Sequence, residues 1–348
     1  MKATYHNYIL KFKNPSGTSR GILNEKETWF IVIENNGKKG IGECGILRGL
    51  SCDDRPDYEA KLQWTCANIS LGKEVLWQVL LEFPSIQFGV EMAYQSLAST
   101  TPFLLFPSAF TLGKKNILIN GLVWMGNESF MKQQIEEKLA QGFTCIKLKI
   151  GAINFKEELR LLHYIRQNFN SKIIEIRLDA NGAFATSDAL DKINQLYGYE
   201  IHSIEQPIAK NNTDSMSALC KSSPIPIALD EELIGVFTMD EKEALLVKIK
   251  PQYIILKPSF IGGFKGTNEW IYLAEKYKIS WWITSALESN IGLNAIAQYT
   301  FLKQSKLPQG LGTGSLYTNN FDCPLQVENG NLWNKNKLDW NFNFENLK

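Results

Sequence analysis

A chain of 348 residues, 44% of them hydrophobic, is long enough for one large domain or two ordinary ones with a real core. Its 37 Lys and Arg balance 36 Asp and Glu, so the net charge argues against nucleic acid or an anionic membrane surface as a partner. Six cysteines with no CxxC pair, three histidines, and no apolar run long enough for a bilayer argue against a disulfide framework, a His-rich zinc site and a membrane span, and they predict a cytoplasmic protein with reduced thiols.

The N-terminal "MKATYHNYILKFKNP" lacks the sustained apolar region of a signal peptide. "TWFIVIENNGKKGIGECGIL" reads as two strands around an Asn-Asn-Gly turn. Helical stretches are expected from about residue 58 to 70 and from 86 to 99. Pro102, Pro107 and Gly113 then punctuate a connecting segment, which sets the boundary of an N-terminal α+β domain at 1–112. From Asn116 a regular alternation begins. "NILING" is strand-like, and "ESFMKQQIEEKLAQG" is an amphipathic helix closed by Gly142. "CIKLKI" is a strand, followed by a helix over 155–169 in which His163 reads as a partly buried residue without a task. "IIEIRLD", "HSIEQP", "PIALDE", "YIILKPS" and "WWITSA" are further short strands, and "GLGTGSL" near Gly310 is the eighth. This alternation predicts an α/β fold, a (β/α)8-type barrel over 113–320. The glycine fingerprint expected of a dinucleotide-binding open sheet is missing. The tail, 321–348, carries an Asn-Gly turn and is expected to return to the N-terminal domain as short strands.

Lys147 and Lys149 lie two residues apart on "CIKLKI" and so share one strand face. On an edge strand they would simply sit in water. In a barrel the alternating Ile146, Leu148 and Ile150 face the helices, which turns both ammonium groups inward, where they need partners or a task. Partners stand at the ends of the strands that follow: Asp179, Glu205, Asp230 and Lys257, spaced by subtraction from Lys149 at 30, 26, 25 and 27 residues. Each interval is one βα unit, so these residues should ring the C-terminal mouth of the barrel. A lone strand-end Asp reads as a helix cap; three in succession flanked by lysines do not. Three converging carboxylates require a cation, and hard oxygen ligands suit Mg²⁺, with Mn²⁺ as a substitute. A carboxylate substrate on that cation has an acidified α-proton. Lys149 is then the expected base, with the like charge of Lys147 beside it favouring a neutral amine.

At these residues the chain resembles the enolase superfamily, in the branch of muconate-lactonising enzymes, dipeptide epimerases and o-succinylbenzoate synthases. The resemblance rests on Lys147-x-Lys149, Asp179-x-Asn181, Glu205-x-Pro207, Asp230-Glu231 and Lys257-Pro258. It implies a capping domain over the barrel, a Lys base with Mg²⁺, Asp179, Glu205 and Asp230 as metal ligands, and Asn181 near the substrate. Glu232 departs from the branch pattern, where Ser or Thr often follows the acidic pair. "PSIQFGVEMA", "TSRGIL", "GIGECGILRGLS" and "GLGTGSLY" are most similar to the members that dehydrate 2-succinyl-6-hydroxy-2,4-cyclohexadiene-1-carboxylate in menaquinone biosynthesis. That likeness implies Lys149 as base and then acid, and Lys257 as the cation facing the enediolate. Epimerases of the branch carry an acidic pair near the eighth strand, and "GLGTGSLYTNN" has none; an N-acylamino acid racemase or dipeptide epimerase, or a catalytically silent barrel, stays as the alternative. The expected partner is a small carboxylate, and the oligomeric state is left open. Further candidate substrate contacts are Arg20 (with Arg48, either on a carboxylate or in solvent), the turn Gly262-Gly263, and Ser285 and Ser289 near a helix start.

Overall fold

The strongest apolar run of the first hundred residues, Trp29 to Ile33, forms the middle of a strand buried on both faces. The computed structural model describes residues 1–18, 21–335 and 338–347. β1 (Lys2–Thr18), β2 (Gly21–Asn35) and β3 (Lys38–Cys44) make an antiparallel sheet in that order. Asn36 and Gly37 both take positive φ, 50° and 76°, as the two-residue hairpin between β2 and β3 demands. Trp29, Ile31 and Ile33 face helices α1 (Tyr58–Ala67), α2 (Lys73–Val79) and α3 (Pro84–Ala98), whereas Phe30, Val32 and Ile41 join the core of the barrel. Each such fully buried side chain contributes about 1.5–3 kcal/mol, so the sheet is fixed from both sides. β1 and α2 went unread in the sequence; β1 alternates too many polar residues to announce a strand.

The barrel follows as alternating elements. β4 (Ile117–Leu118) and β5 (Gly121–Val123) precede α4 (Glu128–Ala140). Then come β6 (Cys145–Lys149), α5 (Phe155–Asn168), β7 (Glu175–Asp179) and α6 (Ala189–Tyr197). β8 (Ser203–Glu205), α7 (Thr213–Ser222), β9 (Ile227–Leu229) and α8 (Met239–Ile249) continue the pattern. β10 (Tyr253–Leu256), α9 (Gly263–Lys276), β11 (Ser280–Ile283) and α10 (Asn290–Lys303) complete it. Strands β5 to β11 form one parallel sheet in sequence order. Its two edges are joined through Gln309 and Gly310, which bridge in parallel to Ile119 and Thr284. The Gly310 N–H donates to the Ile283 carbonyl at 2.9 Å and the Gln309 N–H to Leu118 at 2.9 Å, so the eighth position is filled by two residues rather than a full strand. Helix starts are capped locally: Asn127 accepts from Phe130, Asn154 from Lys156, and Thr238 with Glu241 forms a capping box. His163 sits on the exposed face of α5, not partly buried.

Two expectations are corrected in detail. "NILING" is not one strand, because Ile117–Leu118 pairs antiparallel with the tail, Ile119 bridges Gln309, and only Gly121–Val123 pairs with β6. The tail does form a hairpin, β12 (Leu325–Glu328) and β13 (Asn331–Asn334), but it pairs with β4 and not with the first sheet. Its aromatic end reaches back instead, with Trp340 stacked on Phe103 at 4.0 Å between ring centroids.

The first sheet and its helices are docked to the barrel partly through Glu91 on α3, whose carboxylate accepts the N–H groups of Phe264 at 2.5 Å and Lys265 at 3.2 Å at the start of α9. Burial pushes its pKa up to about 7, against the pull of those two N–H groups and of Lys73 and Lys265.

Two predictions follow from this architecture. A Cβ at Gly310 would stand 2.5 Å from the Thr284 Cβ, so Gly310→Ala should lower the unfolding free energy by about 1–3 kcal/mol through overpacking, read from the urea midpoint. For Glu91 the folded group holds its proton more tightly than the unfolded one, so its ionisation costs stability as pH rises from about 4.5 to 7. Relative to Glu91→Gln, the wild type should lose up to roughly 3 kcal/mol across that window and change little above it, read from paired urea titrations at pH 5 and 8.

Candidate active site

The strand register decides which side chains meet. Lys149 pairs with Asp179, and Asp179 with Glu205, so the three stand level at the C-terminal ends of β6, β7 and β8. Glu205 pairs with Ala228; Asp230 lies two residues further along and so points to the same face. Lys257 follows the last residue of β10. One layer deeper, Lys147 is level with Arg177, which is sealed in the interior with its guanidinium 4.1 Å from the ring of Trp282.

Lys147 Nζ lies 2.9 Å from Asp179 Oδ2 and 2.5 Å from Glu205 Oε2. Lys149 Nζ is 3.1 Å from Asp179 Oδ2 and donates to Asn181 Oδ1 at 2.7 Å. Lys257 donates to Asp230. Asn181, held at φ 44°, accepts from Lys149 and donates to Glu231 at 3.0 Å, which fixes the orientation of its amide. Burial opposes the charge on Lys147, but Asp179, Glu205 and Asp230 outweigh it and raise its pKa above the ordinary lysine value. Burial likewise opposes the charge on Asp179; Lys147, Lys149 and Lys257 reverse that and hold the carboxyl well below the usual range. Burial and the neighbouring Asp179 push Glu205 upward, against Lys147. Lys147 is therefore more than a like charge beside Lys149. It is ion-paired with two of the strand-end carboxylates expected as partners for the inward-facing lysines.

These carboxylates fit a hard cation. Glu205 Oε1 is buried with no hydrogen-bond partner among the described residues, and the donors are all anionic oxygens on adjacent strand ends. Among the described residues no three acidic, His or Cys side chains stand close enough together to hold a metal ion, and the Nζ atoms of Lys147 and Lys257 lie against Asp179 and Asp230.

A cavity of about 220 Å³ opens above this group. Lys147, Lys149, Lys257, Asp179 and Asn181 line its floor, and Ser285 stands in its wall, hydrogen-bonded to Thr313 at 2.7 Å. The first sheet supplies the roof through residues 21–23 and 47–50. Arg48 lies at this rim, with its guanidinium taken by Glu27 at 2.5 Å and Asp54 at 2.8 Å. Arg20 lies outside the described residues.

Three proposed contacts are elsewhere. Gly262 and Gly263, with φ of 94° and 68°, press against α3, and a Cβ on Gly263 would stand 2.2 Å from Glu91 Oε2; the N–H groups that follow them bind Glu91 and no cavity atom. Ser289 does cap a helix, α10, but the anion there is Glu43 of the protein itself, which accepts from the Ser289 N–H at 2.8 Å and its hydroxyl at 2.5 Å. Glu232 is buried beside Gln206 and the Asn211 N–H, off the cavity. The buried Lys26, Glu43 and Glu288 beneath the cavity wall were missed; the signal for the two acids was a Glu among small residues at the end of a strand, in "GECG", and after one, in "SALESN".

The Enolase C-terminal domain-like family matches residues 131–337. The o-succinylbenzoate synthase of Desulfotalea psychrophila is 45% identical over 95% of this chain and 98% of its own length. The crystal structure of MenC from the same organism superposes with a TM-score of 0.85, covering 96% of this chain and 99% of that one. A dipeptide epimerase from Enterococcus faecalis, solved with Mg and the dipeptide L-Leu-L-Tyr, gives 0.83 at 19% identity, covering 95% of this chain and 96% of that one, and so shares the fold.

Proposed function

The chain belongs to the Enolase C-terminal domain-like family, and from that premise we propose that it dehydrates 2-succinyl-6-hydroxy-2,4-cyclohexadiene-1-carboxylate to o-succinylbenzoate, a cytoplasmic step of menaquinone biosynthesis. The observation that carries this reading over epimerisation of a dipeptide is the cavity wall. Its single carboxylate among the described residues is Asp179, at the floor, so nothing in the wall pairs with a substrate ammonium. Full-length relatedness to the Desulfotalea psychrophila enzyme supports it.

In this reading residues 1–112 cap the barrel of 113–320, and Asp179, Glu205 and Asp230 hold a divalent cation, of the kind general in the family. Mg²⁺ is the choice that all-oxygen ligation favours, with Mn²⁺ as a substitute. When bound, it supplies positive charge for the substrate carboxylate. Lys149, oriented by Asn181 and Asp179, breaks the C–H bond beside the ring carboxylate and takes the proton. The electron pair moves onto that carboxylate as an enediolate, facing the ammonium of Lys257. As the pair returns to form the ring double bond, the adjacent C–O bond breaks and Lys149 gives its proton back to the leaving hydroxyl, which departs as water. Aromaticity drives this second step. Lys147 keeps Asp179 and Glu205 in place from below. Ser285 and Thr313 stand where the substrate's polar groups meet the wall.

With Mg²⁺ the purified protein should convert the cyclohexadiene to an aromatic product, and a chelator should stop it; robust dipeptide epimerisation without dehydration would sink this assignment. Lys149→Ala and Lys257→Ala should each lower kcat by about 10³-fold or more with little change in melting temperature. Asp179→Asn, Glu205→Gln and Asp230→Asn should each weaken Mg²⁺ binding in calorimetry, and unchanged heats in all three would remove the metal assignment.

A further inference from the structure

Beneath the cavity wall, where the first sheet meets the barrel, lies a second group of charges that the proposed reaction does not use. Lys26 on β2 is 2% exposed, and its Nζ has no hydrogen-bond partner among the described residues. A sealed ammonium without partners is costly unless charge of the opposite sign surrounds it. Two buried carboxylates lie on that side of the strand without a direct hydrogen bond to it: Glu43 on β3, which accepts from the hydroxyl of Thr28 on the same face of β2 as Lys26, and Glu288 after β11, which stands beside Glu43, since a Cβ on Gly292 would be 2.7 Å from Glu43 Oε2 and 2.8 Å from Glu288 Cβ.

Both carboxylates are tied to the barrel. Glu43 accepts from Thr28 Oγ1, the Ser289 N–H and the Gly292 N–H, each at 2.8 Å, and from the Ser289 hydroxyl at 2.5 Å. Glu288 accepts from the Ala286 N–H at 2.6 Å and from the Ser259 hydroxyl. The packing is close: a Cβ on Gly45 would stand 2.6 Å from Ser259 Oγ and 3.0 Å from Glu288 Cγ. Burial lowers the pKa of Lys26 and raises that of Glu288, and their mutual attraction opposes both.

The position of this group along the chain gives it a role. Leu23 is three residues before Lys26, Leu47 is four after Glu43, Leu287 immediately precedes Glu288, and Phe260 immediately follows Ser259. All four neighbours line the cavity. The wall contributed by the first sheet and the wall contributed by the loop after β11 are therefore anchored to the same three charges.

We infer that Lys26 is a positioning residue for the substrate cavity: its buried ammonium is the shared counter-ion of Glu43 and Glu288, and it thereby sets the spacing between the sheet-derived roof and the barrel loop that together enclose the substrate. Lys26 touches no reacting atom. The inference rests on the proposed reaction only for the substrate used in one arm of its test.

Lys26→Met keeps the apolar stem and removes the charge, leaving two carboxylates in one dry pocket without a cation. Lys26→Met with Glu288→Gln removes one of those carboxylates and restores the balance. The single variant should raise KM for the cyclohexadiene about tenfold or more while kcat stays within about threefold. It should also speed amide hydrogen exchange together at 21–23, 47–50 and 284–287. The double variant should bring KM and exchange back to within about twofold of wild type. If Lys26 only fills space, Lys26→Met behaves as wild type and the inference falls; it falls equally if the double variant stays impaired. Should the single variant fail to fold, the double variant decides alone: folding with near-wild-type KM supports the shared counter-ion, and failure to fold overturns it. If wild type leaves the cyclohexadiene unchanged, the proposed function falls, and the exchange pattern of the same variants still decides this inference.

Discussion

A lysine sealed in a barrel interior is tolerable only if its charge is matched, and the ion pairs of Lys147 with Asp179 and Glu205 are that match. The rest of the mouth is arranged around it. Three lysines, Lys147, Lys149 and Lys257, stand against three acidic side chains, Asp179, Glu205 and Asp230, so basic and acidic groups are matched in number. Stability does not require such a ring, since well-packed apolar side chains of the same volume hold a core together as well or better. What these side chains supply is a surface that is dry yet lined with acidic and basic groups. Proton transfer beside a carboxylate and binding of a dication both depend on that combination.

The N-terminal sheet makes the dryness possible. Residues 29–33 of β2 and 40–44 of β3 are buried on both faces, one against the domain's own helices and the other against the barrel, so the sheet cannot lift away without exposing Phe30, Val32 and Ile41. Residues 21–23 and 47–50 extend from the ends of β2 and β3 over the barrel mouth. The lid of the cavity is thus continuous with the most firmly packed strands of its domain, and its shape is set by the same apolar contacts that hold the two halves of the chain together.

Much of this was legible in the sequence because it follows simple periodicities. Lys147 and Lys149 share a face by the two-residue repeat of a strand, and the strand-end carboxylates recur at one βα unit. What was not legible depends on contacts distant along the chain. Gly262-Gly263 and Ser289 do open helices suited to anions, as their residue types indicated, but the occupants are Glu91 and Glu43, and nothing local to either turn says so. "NILING" has strand composition throughout, and only its pairing with the tail hairpin splits it. Lys26 was invisible for a related reason. In "NEKET" it sits among polar neighbours and reads as exposed, and only the barrel's approach to that face of β2 buries it.

The starts of α9 and α10 are each closed by a carboxylate from the N-terminal domain, one from α3 and one from β3. Helix starts carry about half a unit of positive charge and several unspent N–H groups, so a barrel separated from its cap would present two ready anion receptors to solvent. This sets a condition on recombination between relatives. A transplanted cap is compatible with this barrel only if it brings an acidic side chain to both places, however well its apolar surface matches. Two residues far from the chemistry therefore act as a lock on which halves can be exchanged in evolution or in a chimeric enzyme.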